Sequence, residues 1–286
     1  MTDPSHDSAV LTAFEDDLPL GGTKRTRRRQ LIGRYLPAAI AFVSVLVVWE
    51  LFVELANVKS FILPAPSEIT AAFFEEFSTI WSAGWTTLRE AVGGLFIGLF
   101  LAIFVSFSIV RWTWLEEGVM PVAIAIGTIP IVAMAPIMNA WFSITSLLSK
   151  MAVVALVIFF PVMINTVRGL NEVSAEEVEL MRSFAAPGRD LLLRVRVPNA
   201  LPYFFSALKV ASALSMIAAV VAEYFGGRQD ALGPYILQKA GLLRFAEAWA
   251  GIGVASILGI AVYSAVVLLE RAVMPWHVSL RVAAGE

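Results

Sequence analysis

Six long apolar stretches constrain this chain more than any other feature of its sequence. An α-helix of ~20 apolar residues is long enough to cross the hydrocarbon core of a bilayer. The stretches cover residues 35–56, 88–110, 119–142, 151–167, 201–225 and 249–269. Only 15% of the residues are charged, against ~25% in ordinary soluble domains, so a water-soluble fold could not bury this much apolar surface. The sequence therefore predicts an all-α polytopic membrane protein with about six transmembrane helices.

The distribution of lysine and arginine predicts which side each loop faces. Of the 21 basic residues, 14 lie in segments on the side of the N-terminus, six lie on the other side, and Lys209 lies within a stretch. Cytoplasmic loops carry the excess of Lys and Arg, so both termini are expected in the cytoplasm. Residues 1–34 turn from acidic to basic without an apolar core or a cleavage site, which indicates a disordered cytoplasmic tail and not a signal peptide. Residues 35–277 then form the membrane domain, and residues 278–286 form a cytoplasmic tail.

Three prolines in the third apolar stretch predict that its helix is kinked or broken. Pro121, Pro130 and Pro136 each lack the backbone N–H that a helix needs, so neighbouring groups must satisfy the freed carbonyls. A broken span suits an element that lines a solute pathway, although ordinary kinks and helix packing explain these residues equally well. The candidates for the pathway or its gate are Pro130, Met134, Asn139, Ser215, Met216 and Glu223.

A short segment between the first two stretches is expected to form a separate helix. The run Leu63-Pro64-Ala65-Pro66-Ser67 breaks the chain, and the residues after it are apolar at helical spacing. This pattern predicts a helix that lies in the outer interface of the membrane.

The loop at residues 168–199 is too polar to cross a membrane, and its pattern predicts a short helix that begins at Ala175. Ser174 and Glu177 have the spacing of a capping box, in which each side chain accepts a hydrogen bond from the backbone of the other residue. Pro187-Gly188 should end the helix. One arc of this helix carries Val178, Leu180, Met181, Phe184 and Ala185, and the opposite arc carries Glu176, Glu179, Arg182 and Ser183. A helix that rests on lipid and a helix that contacts a partner protein both fit this pattern.

The loop also contains a spaced motif. It reads Glu179-Leu180-Met181, three residues, Ala185, nine residues, and Val195-Arg196-Val197-Pro198. This resembles the EAA loop of type I permeases of binding-protein-dependent ABC importers, which has Glu-Ala-Ala, three residues, Gly, nine residues and Ile-x-Leu-Pro. The spacing matches throughout, and the substituted residues are small or apolar. Ala185 stands where the family has glycine, which would allow a closer approach of the backbone.

Further short runs extend this resemblance from about residue 35 to residue 277. They are Leu63-Pro64-Ala65-Pro66, Leu201-Pro202, Ala222-Glu223 and Pro275-Trp276-His277, and they are similar to the nitrate, sulfonate and taurine branch of these permeases. The resemblance implies a membrane subunit of an ATP-driven importer in the plasma membrane of a prokaryote. It implies four kinds of partner: a second copy of the chain, two cytoplasmic ATP-binding subunits, an extracytoplasmic substrate-binding protein and a small polar solute.

The resemblance also implies that the loop helix is the coupling helix that enters a groove of the ATPase. The residues expected to couple are Ser174, Glu177, Val178, Glu179, Leu180, Met181, Arg182, Phe184, Ala185 and Pro198. No residue identifies the solute, for which sulfonates, nitrate, taurine and pyrimidine or riboflavin-type vitamin precursors are all open.

Several other functions lack the residues that they need. The chain has no G-x-x-x-x-G-K-[ST] phosphate loop, so ATP hydrolysis is expected in a partner. It has no cysteine and no HExxH or G-x-S-x-G motif, so neither catalytic residues nor a metal or cofactor site is expected. Membrane lipid is expected as a partner and nucleic acid is not. A secondary transporter remains the alternative, because ionisable residues in or near the spans are functional suspects, namely Glu50, Glu54, Arg89 and Glu223.

Overall fold

The computed structural model describes residues 24–127 and 129–275, and every regular element in this part of the chain is a helix. Five helical segments are long and apolar enough to cross a membrane: Leu36–Leu55, Phe77–Arg111, Leu147–Asn171, Gly188–Tyr224 and Phe245–Val273. The predicted all-α membrane fold is confirmed. The chain divides into two compact units, one up to Val58 and the other from Lys59 onward.

The first unit contains one helix, α1, which spans Lys24–Leu55. From Leu36 onward most of its apolar side chains are exposed, as suits a helix surrounded by lipid. The helix begins within the segment that the sequence analysis assigned to a disordered tail, and residues 24–34 are helical. That expectation was wrong for these residues, because arginine and lysine are good helix formers and continue the helix of the apolar stretch. The rest of the tail and the segment 278–286 lie outside the described residues.

The second unit is built around three long helices. They are α3 (Phe77–Arg111), α6 (Leu147–Asn171) and α9 (Val197–Tyr224), and α11 (Phe245–Val273) packs against α9. α3 and α6 approach closely because small residues recur every four positions on α3, at Gly94, Gly98 and Ala102. A Cβ atom on Gly94 would lie 2.6 Å from the backbone oxygen of Met151, so only glycine fits there. We call this closely packed pair, α3 and α6, the frame, because the candidate sites described below are attached to it.

The third apolar stretch is not one continuous helix. It forms α4 (Thr113–Gly127), a 3₁₀ turn at Ile131–Met134 and α5 (Ala135–Phe142). The break includes Pro130, and Pro136 lies in the first turn of α5, where a missing N–H costs nothing. The prediction of a broken span is therefore confirmed, and the break explains why five long helices are found and not six.

Short helices and an ion network cover the end of the unit at which α3 begins. α2 (Pro66–Glu75) follows the Leu63–Ser67 break as predicted, and α10 (Leu232–Gly241) lies between α9 and α11. Glu76 accepts hydrogen bonds from Lys239 and from the Tyr235 hydroxyl, the latter at 3.0 Å. Arg244 lies 3.5 Å from Glu76 and 2.5 Å from Glu247. Burial opposes ionisation of Glu76, but these hydrogen bonds and charges lower the pKa of its carboxyl.

Candidate functional site

The loop helix forms as its sequence predicts. Helix α7 spans Ala175–Ser183, and it is followed by α8 (Gly188–Leu191) and a π turn at Leu192–Arg196 that leads into α9. The Ser174 oxygen accepts from the Glu177 N–H at 3.2 Å, and the Glu177 carboxylate accepts from the Ser174 N–H at 3.2 Å. Hydrogen bonds from its own N–H and from the Ser174 hydroxyl lower the pKa of Glu176. The predicted capping box is confirmed.

The end of α7 explains the glycine of the family motif. The Ala185 N–H donates to the Arg182 carbonyl at 2.9 Å, and the Ala186 N–H donates to the Met181 carbonyl at 3.1 Å. This is the Schellman pattern of a helix C-terminus, in which the residue after the cap adopts the left-handed conformation. Ala185 has φ +50°, where glycine is preferred over any L-residue. The motif glycine therefore serves to end the helix, and the alanine in this chain does so under strain.

The apolar arc of α7 is uncovered. Leu180 is 57% exposed and Phe184 is 73% exposed, while Val178 and Met181 are partly buried. Glu179 is exposed, and no hydrogen bond or ion pair joins it to another residue in the described ranges. Arg182 is also exposed. Leu180 and Phe184 thus present apolar surface to solvent, and the predicted coupling role of this arc stays a prediction.

Both ends of the loop are fastened to the long helices. The side-chain amide of Asn199 donates to the carbonyls of Gly169 at 3.1 Å and Glu172 at 2.5 Å, which closes the C-terminal end of α6 against the start of α9. Pro198 sits in the first turn of α9, where its missing N–H is tolerated. A Cβ atom on Gly169 would lie 2.9 Å from the Ala200 Cα, so the two helices are close at this point. The two helices that flank the loop are therefore joined at its base.

A second candidate site is a polar cluster buried near the start of α6. The Lys150 ammonium donates to the Asn139 side-chain oxygen at 2.6 Å and to the Ile144 carbonyl at 2.7 Å. Asn139 also accepts from the Ser149 hydroxyl at 2.6 Å and donates to the Phe225 carbonyl at 3.0 Å. Lys150 is only 1% exposed, so this ammonium is surrounded by fixed dipoles in place of water. Asn139 thereby joins α5, α6 and the end of α9.

Two buried carboxyl groups lie next to this ammonium. Glu90 on α3 is 0% exposed and Glu223 on α9 is 1% exposed, and the two carboxyls are close enough to act on each other and on Lys150. Among the described residues, neither Glu90 oxygen nor Glu223 Oε1 has a hydrogen-bond partner. The Gly233 N–H donates to Glu223 Oε2 at 2.6 Å. A Cβ atom on Gly233 would lie 2.5 Å from the Glu223 Cβ, so glycine permits α10 to cover the carboxyl. Four elements thus converge on one closed polar cluster of Glu90, Asn139, Ser149, Lys150 and Glu223.

The other pathway candidates do not belong to this cluster. The Ser215 hydroxyl donates to the Ser212 carbonyl of its own helix at 2.8 Å, and Met216 is buried in the apolar core. Met216 also lines an apolar groove of about 520 Å³ between α9 and α11, together with Tyr224 and Tyr263. Pro130 and Met134 lie at the break in the third span. Their role in a pathway stays a prediction.

Three residues that organise these sites were not singled out from the sequence. Glu90 falls within the stretch 88–110, Lys150 directly precedes the stretch 151–167, and Asn199 ends the loop 168–199. Each of the first two is a charge within or beside an apolar stretch, which is a signal for function in a membrane. Asn199 follows Pro198 at a helix start, and nothing local indicates that it reaches back to α6. Among the described residues, no group of three or more His, Asp or Glu side chains is placed to hold a metal ion.

A family model and sequence relatives match most of this chain. The model for the binding-protein-dependent transport system inner membrane component matches residues 94–275. The riboflavin transport system permease protein RibX of Chloroflexus aurantiacus is 32% identical over 242 residues, covering 84% of this chain and 90% of that protein. The formylaminopyrimidine transport permease protein ThiX of Halalkalibacterium halodurans is 31% identical over 243 residues, covering 85% and 96%.

More distant matches extend the comparison to other solutes and to a solved structure. The taurine transport system permease protein TauC of Escherichia coli is 25% identical over 264 residues, covering 89% of this chain and 95% of that protein. A crystal structure of an amino acid ABC transporter with histidines matches with a TM-score of 0.55 at 15% identity, covering 71% of this chain and 97% of that chain. At this identity the structural match establishes the fold alone.

Proposed function

The chain belongs to the family of binding-protein-dependent transport system inner membrane components, the permease subunits of ATP-driven importers, and we propose that its loop helix α7 transmits the motion of an ATPase to α6 and α9. The observation that carries this proposal is the uncovered apolar arc of α7 on a loop whose two ends are fastened. A free amphipathic helix of nine residues is too short to be stable by itself, so its packing partner must come from elsewhere.

The connection at Asn199 supports a mechanical role. Because Asn199 holds the end of α6 against the start of α9, a push on α7 is passed to both helices and not absorbed by a flexible linker. Such a push tilts packed helices between two arrangements, which is a switch of the hinge and shear type. The two arrangements are the inward-facing and outward-facing states of the pathway.

The assembly that we propose contains two copies of this chain. One chain presents one loop helix, and two ATP-binding subunits therefore require two permease chains. An extracytoplasmic binding protein delivers the solute on the side of α2 and α10, and ATP is hydrolysed in the cytoplasmic subunits. This orientation places both termini and α7 in the cytoplasm of a prokaryotic cell, with the protein in the plasma membrane, as the excess of Lys and Arg on that side favours.

We propose that the polar cluster shapes the outer gate of the pathway. Glu223 ends α9 beneath the cover of α10, and its contacts join α3, α6, α9 and α10. Asn139 connects the broken third span to the same place. Opening the pathway at this end must separate some of these groups, so the cluster favours the closed state.

The solute that we propose is a small heteroaromatic vitamin precursor of the pyrimidine or flavin class. The support is the identity with RibX and ThiX, which exceeds the identity with the taurine permease. Titration calorimetry on the binding protein that works with this permease distinguishes the classes. Binding of riboflavin or a formylaminopyrimidine is expected, and binding of taurine alone would redirect the proposal to sulfonates.

Variants of the exposed arc test the coupling role. Removing one partner of a desolvated charge contact at an interface costs ~2–5 kcal/mol, so Glu179→Ala should weaken ATPase association at least tenfold. Phe184→Asp should do the same by placing a charge in the apolar contact. Both variants should remain inserted and dimeric, because α7 contributes nothing to the core. The measurements are copurification of the ATPase and ATP hydrolysis stimulated by the loaded binding protein.

Glu75→Ala is the matched control, since Glu75 is an exposed glutamate at the other end of the molecule. It should leave ATPase association unchanged. If both α7 variants bound the ATPase and stimulated hydrolysis as the unchanged protein does, a helix resting on lipid would be the better interpretation. Orientation is tested separately in the cysteine-free chain: a cysteine at Arg182 should resist an impermeant reagent added to whole cells, and one at Glu75 should react.

A further inference from the structure

An arginine-lined cavity lies where the end of α3 meets the segment that follows the loop helix. It has a volume of about 610 Å³, and its wall combines Arg111, Arg189 and Arg196 with apolar side chains that include Phe107 and Leu192. Among the residues whose side chains the structure describes, which exclude 113–117, no acidic residue lines it. Three guanidinium groups therefore share one concave space with no described carboxylate in its wall.

The arginines of this cavity differ from the neighbouring arginines of the same loop. Arg194 pairs with Asp190 at 3.7 Å, and Arg168 pairs with Glu172 at 3.2 Å. Among the side chains that the structure describes, none forms an ion pair with Arg111, Arg189 or Arg196. The Arg196 Nε is buried without a hydrogen-bond acceptor. A buried donor on a permanent cation is costly unless an acceptor meets it, and guanidinium groups match the oxygens of phosphate or carboxylate.

Two mostly apolar pockets share wall residues with the arginine-lined cavity. Phe107 also lines a pocket of about 140 Å³ between α3, α6 and α9, whose wall is wholly apolar except for Thr166. Phe107 and Arg111 both line a groove of about 450 Å³ along α3, together with Phe100, Phe104 and Trp112. Phe100, Phe104 and Phe107 lie on α3, which is long and apolar enough to cross a membrane, and Trp112 follows its last residue. A ligand that fills the whole space must be anionic at one end and apolar at the other.

We propose that this cavity binds the phosphate headgroup of an anionic phospholipid, with an acyl chain along the aromatic groove of α3. Basic pockets between membrane helices at the cytoplasmic side suit such headgroups. The proposal rests on the orientation given above, which puts Arg111, Arg189 and Arg196 at the cytoplasmic leaflet. The bound lipid bridges α3 and the segment Gly188–Arg196, and it thereby holds the base of the coupling loop against the frame.

Thermal unfolding of the full chain in detergent, with added dioctanoyl phosphatidylglycerol, tests this site. We expect a dose-dependent rise in the unfolding midpoint that dioctanoyl phosphatidylcholine reproduces only weakly. Glycerol 3-phosphate and inorganic phosphate, which lack acyl chains, should give no rise at the same concentration. Each arginine near an anionic surface contributes about a fivefold change in affinity, so Arg111→Gln with Arg196→Gln should weaken phosphatidylglycerol binding about 25-fold.

The matched control is Arg168→Gln with Arg194→Gln, which removes the same charge from arginines that already have partners. This control should keep the lipid affinity. If both double variants lost affinity for phosphatidylglycerol equally, the lipid would be held by general attraction to positive charge, and the proposal would be overturned. Equal binding of glycerol 3-phosphate and the lipid would overturn it in favour of a soluble phosphate site. Native mass spectrometry of the double variants gives a second readout of retained phosphatidylglycerol that does not depend on their stability.

The remaining alternative is that a partner subunit, and not a lipid, occupies the arginine-lined cavity. If Arg111→Gln with Arg196→Gln released the ATPase but retained phosphatidylglycerol, the arginines would belong to the ATPase interface and the lipid proposal would fail. Loss of lipid with the ATPase retained supports it. These outcomes are independent of the Glu179 and Phe184 variants, so failure of the coupling role and failure of the lipid site are distinguishable.

Discussion

The polar cluster and the loop helix both depend on glutamates, but the structure places these glutamates in opposite surroundings. Glu223 is 1% exposed and accepts from the Gly233 N–H, with Glu90 and Lys150 beside it. Glu179 is exposed and makes no ion pair within the described ranges. All members of the cluster belong to one chain, so its effect should be measurable as stability. The loop helix is incomplete within one chain, so its effect should be measurable as association.

The largest effect is expected from Lys150→Met, which removes the basic side chain that is hydrogen-bonded to Asn139 within the cluster. Lys150 acts on both buried carboxyl groups and Arg228 acts on Glu90 as well, so the variant removes the larger part of the opposite charge near Glu90. Loss of the partner charge of a buried carboxylate costs up to ~3–5 kcal/mol. We expect a fall in the unfolding midpoint in detergent and less protein in the membrane. Removing a charged side chain from α7 should change neither the unfolding midpoint nor the amount of protein in the membrane.

A double variant sharpens this prediction. Adding Glu223→Gln to Lys150→Met removes one of the uncompensated carboxylates, so the double variant should be less destabilised than the Lys150→Met variant. Strictly additive losses would mean that Lys150 and Glu223 do not interact. In that case the cluster would be a set of separate hydrogen bonds and not one electrostatic unit.

The next effect concerns the packing that supports the cluster. Gly94→Ala places a Cβ atom 2.5 Å from the Val154 Cβ and 2.6 Å from the Met151 oxygen, so α3 and α6 must move apart. Overpacking of this kind costs ~1–3 kcal/mol. Gly253→Ala on α11 is the matched control, because its Cβ atom would meet nothing within 4 Å. Equal unfolding midpoints for the two variants would contradict the close approach of α3 and α6.

The loop was predictable from sequence because its determinants are local. The capping box, the amphipathic arc and the end of the helix near Pro187 all depend on residues within a few positions of each other. The apolar stretches were predictable for the same reason, as was the proline break in the third span. The start of α1 was not predicted, because residues 24–34 were expected in a disordered tail and instead continue the helix.

The cluster was not predictable because its members come from four separate elements. Glu90 lies in the part of α3 that precedes most of its apolar run, and α3 begins at Phe77, well before the predicted residue 88. That first part contains Thr86 and Thr87, whose hydroxyls donate to carbonyls one turn earlier and so fit a membrane helix despite their polarity. A single sequence does not indicate that Glu90, Lys150 and Glu223 meet.

A smaller effect is expected at Asn199, which connects the loop to the frame. Asn199→Ala removes two hydrogen bonds to the end of α6, at ~1 kcal/mol each. The unfolding midpoint should fall slightly, whereas ATP hydrolysis should become less dependent on the loaded binding protein because the start of α9 is no longer held to the end of α6. Unchanged coupling would show that the covalent connections at the loop ends are sufficient. Ser256→Ala on α11, which removes one exposed hydroxyl bonded within its own helix, serves as the control.

The smallest effect, and the only stabilising one, is expected from Ala185→Gly. Ala185 has φ +50°, a conformation that costs an L-residue ~1 kcal/mol and costs glycine nothing. Both hydrogen bonds of the helix end are made by backbone atoms, so the substitution leaves them in place. Because α7 is detached from the core, the gain should appear as slower amide hydrogen exchange in residues 175–186 and not as a higher global unfolding midpoint. Ala186→Gly is the control, since Ala186 has no positive φ and should gain nothing. Faster exchange in the Ala185→Gly variant would mean that the greater freedom of glycine in the open state outweighs the strain that it removes.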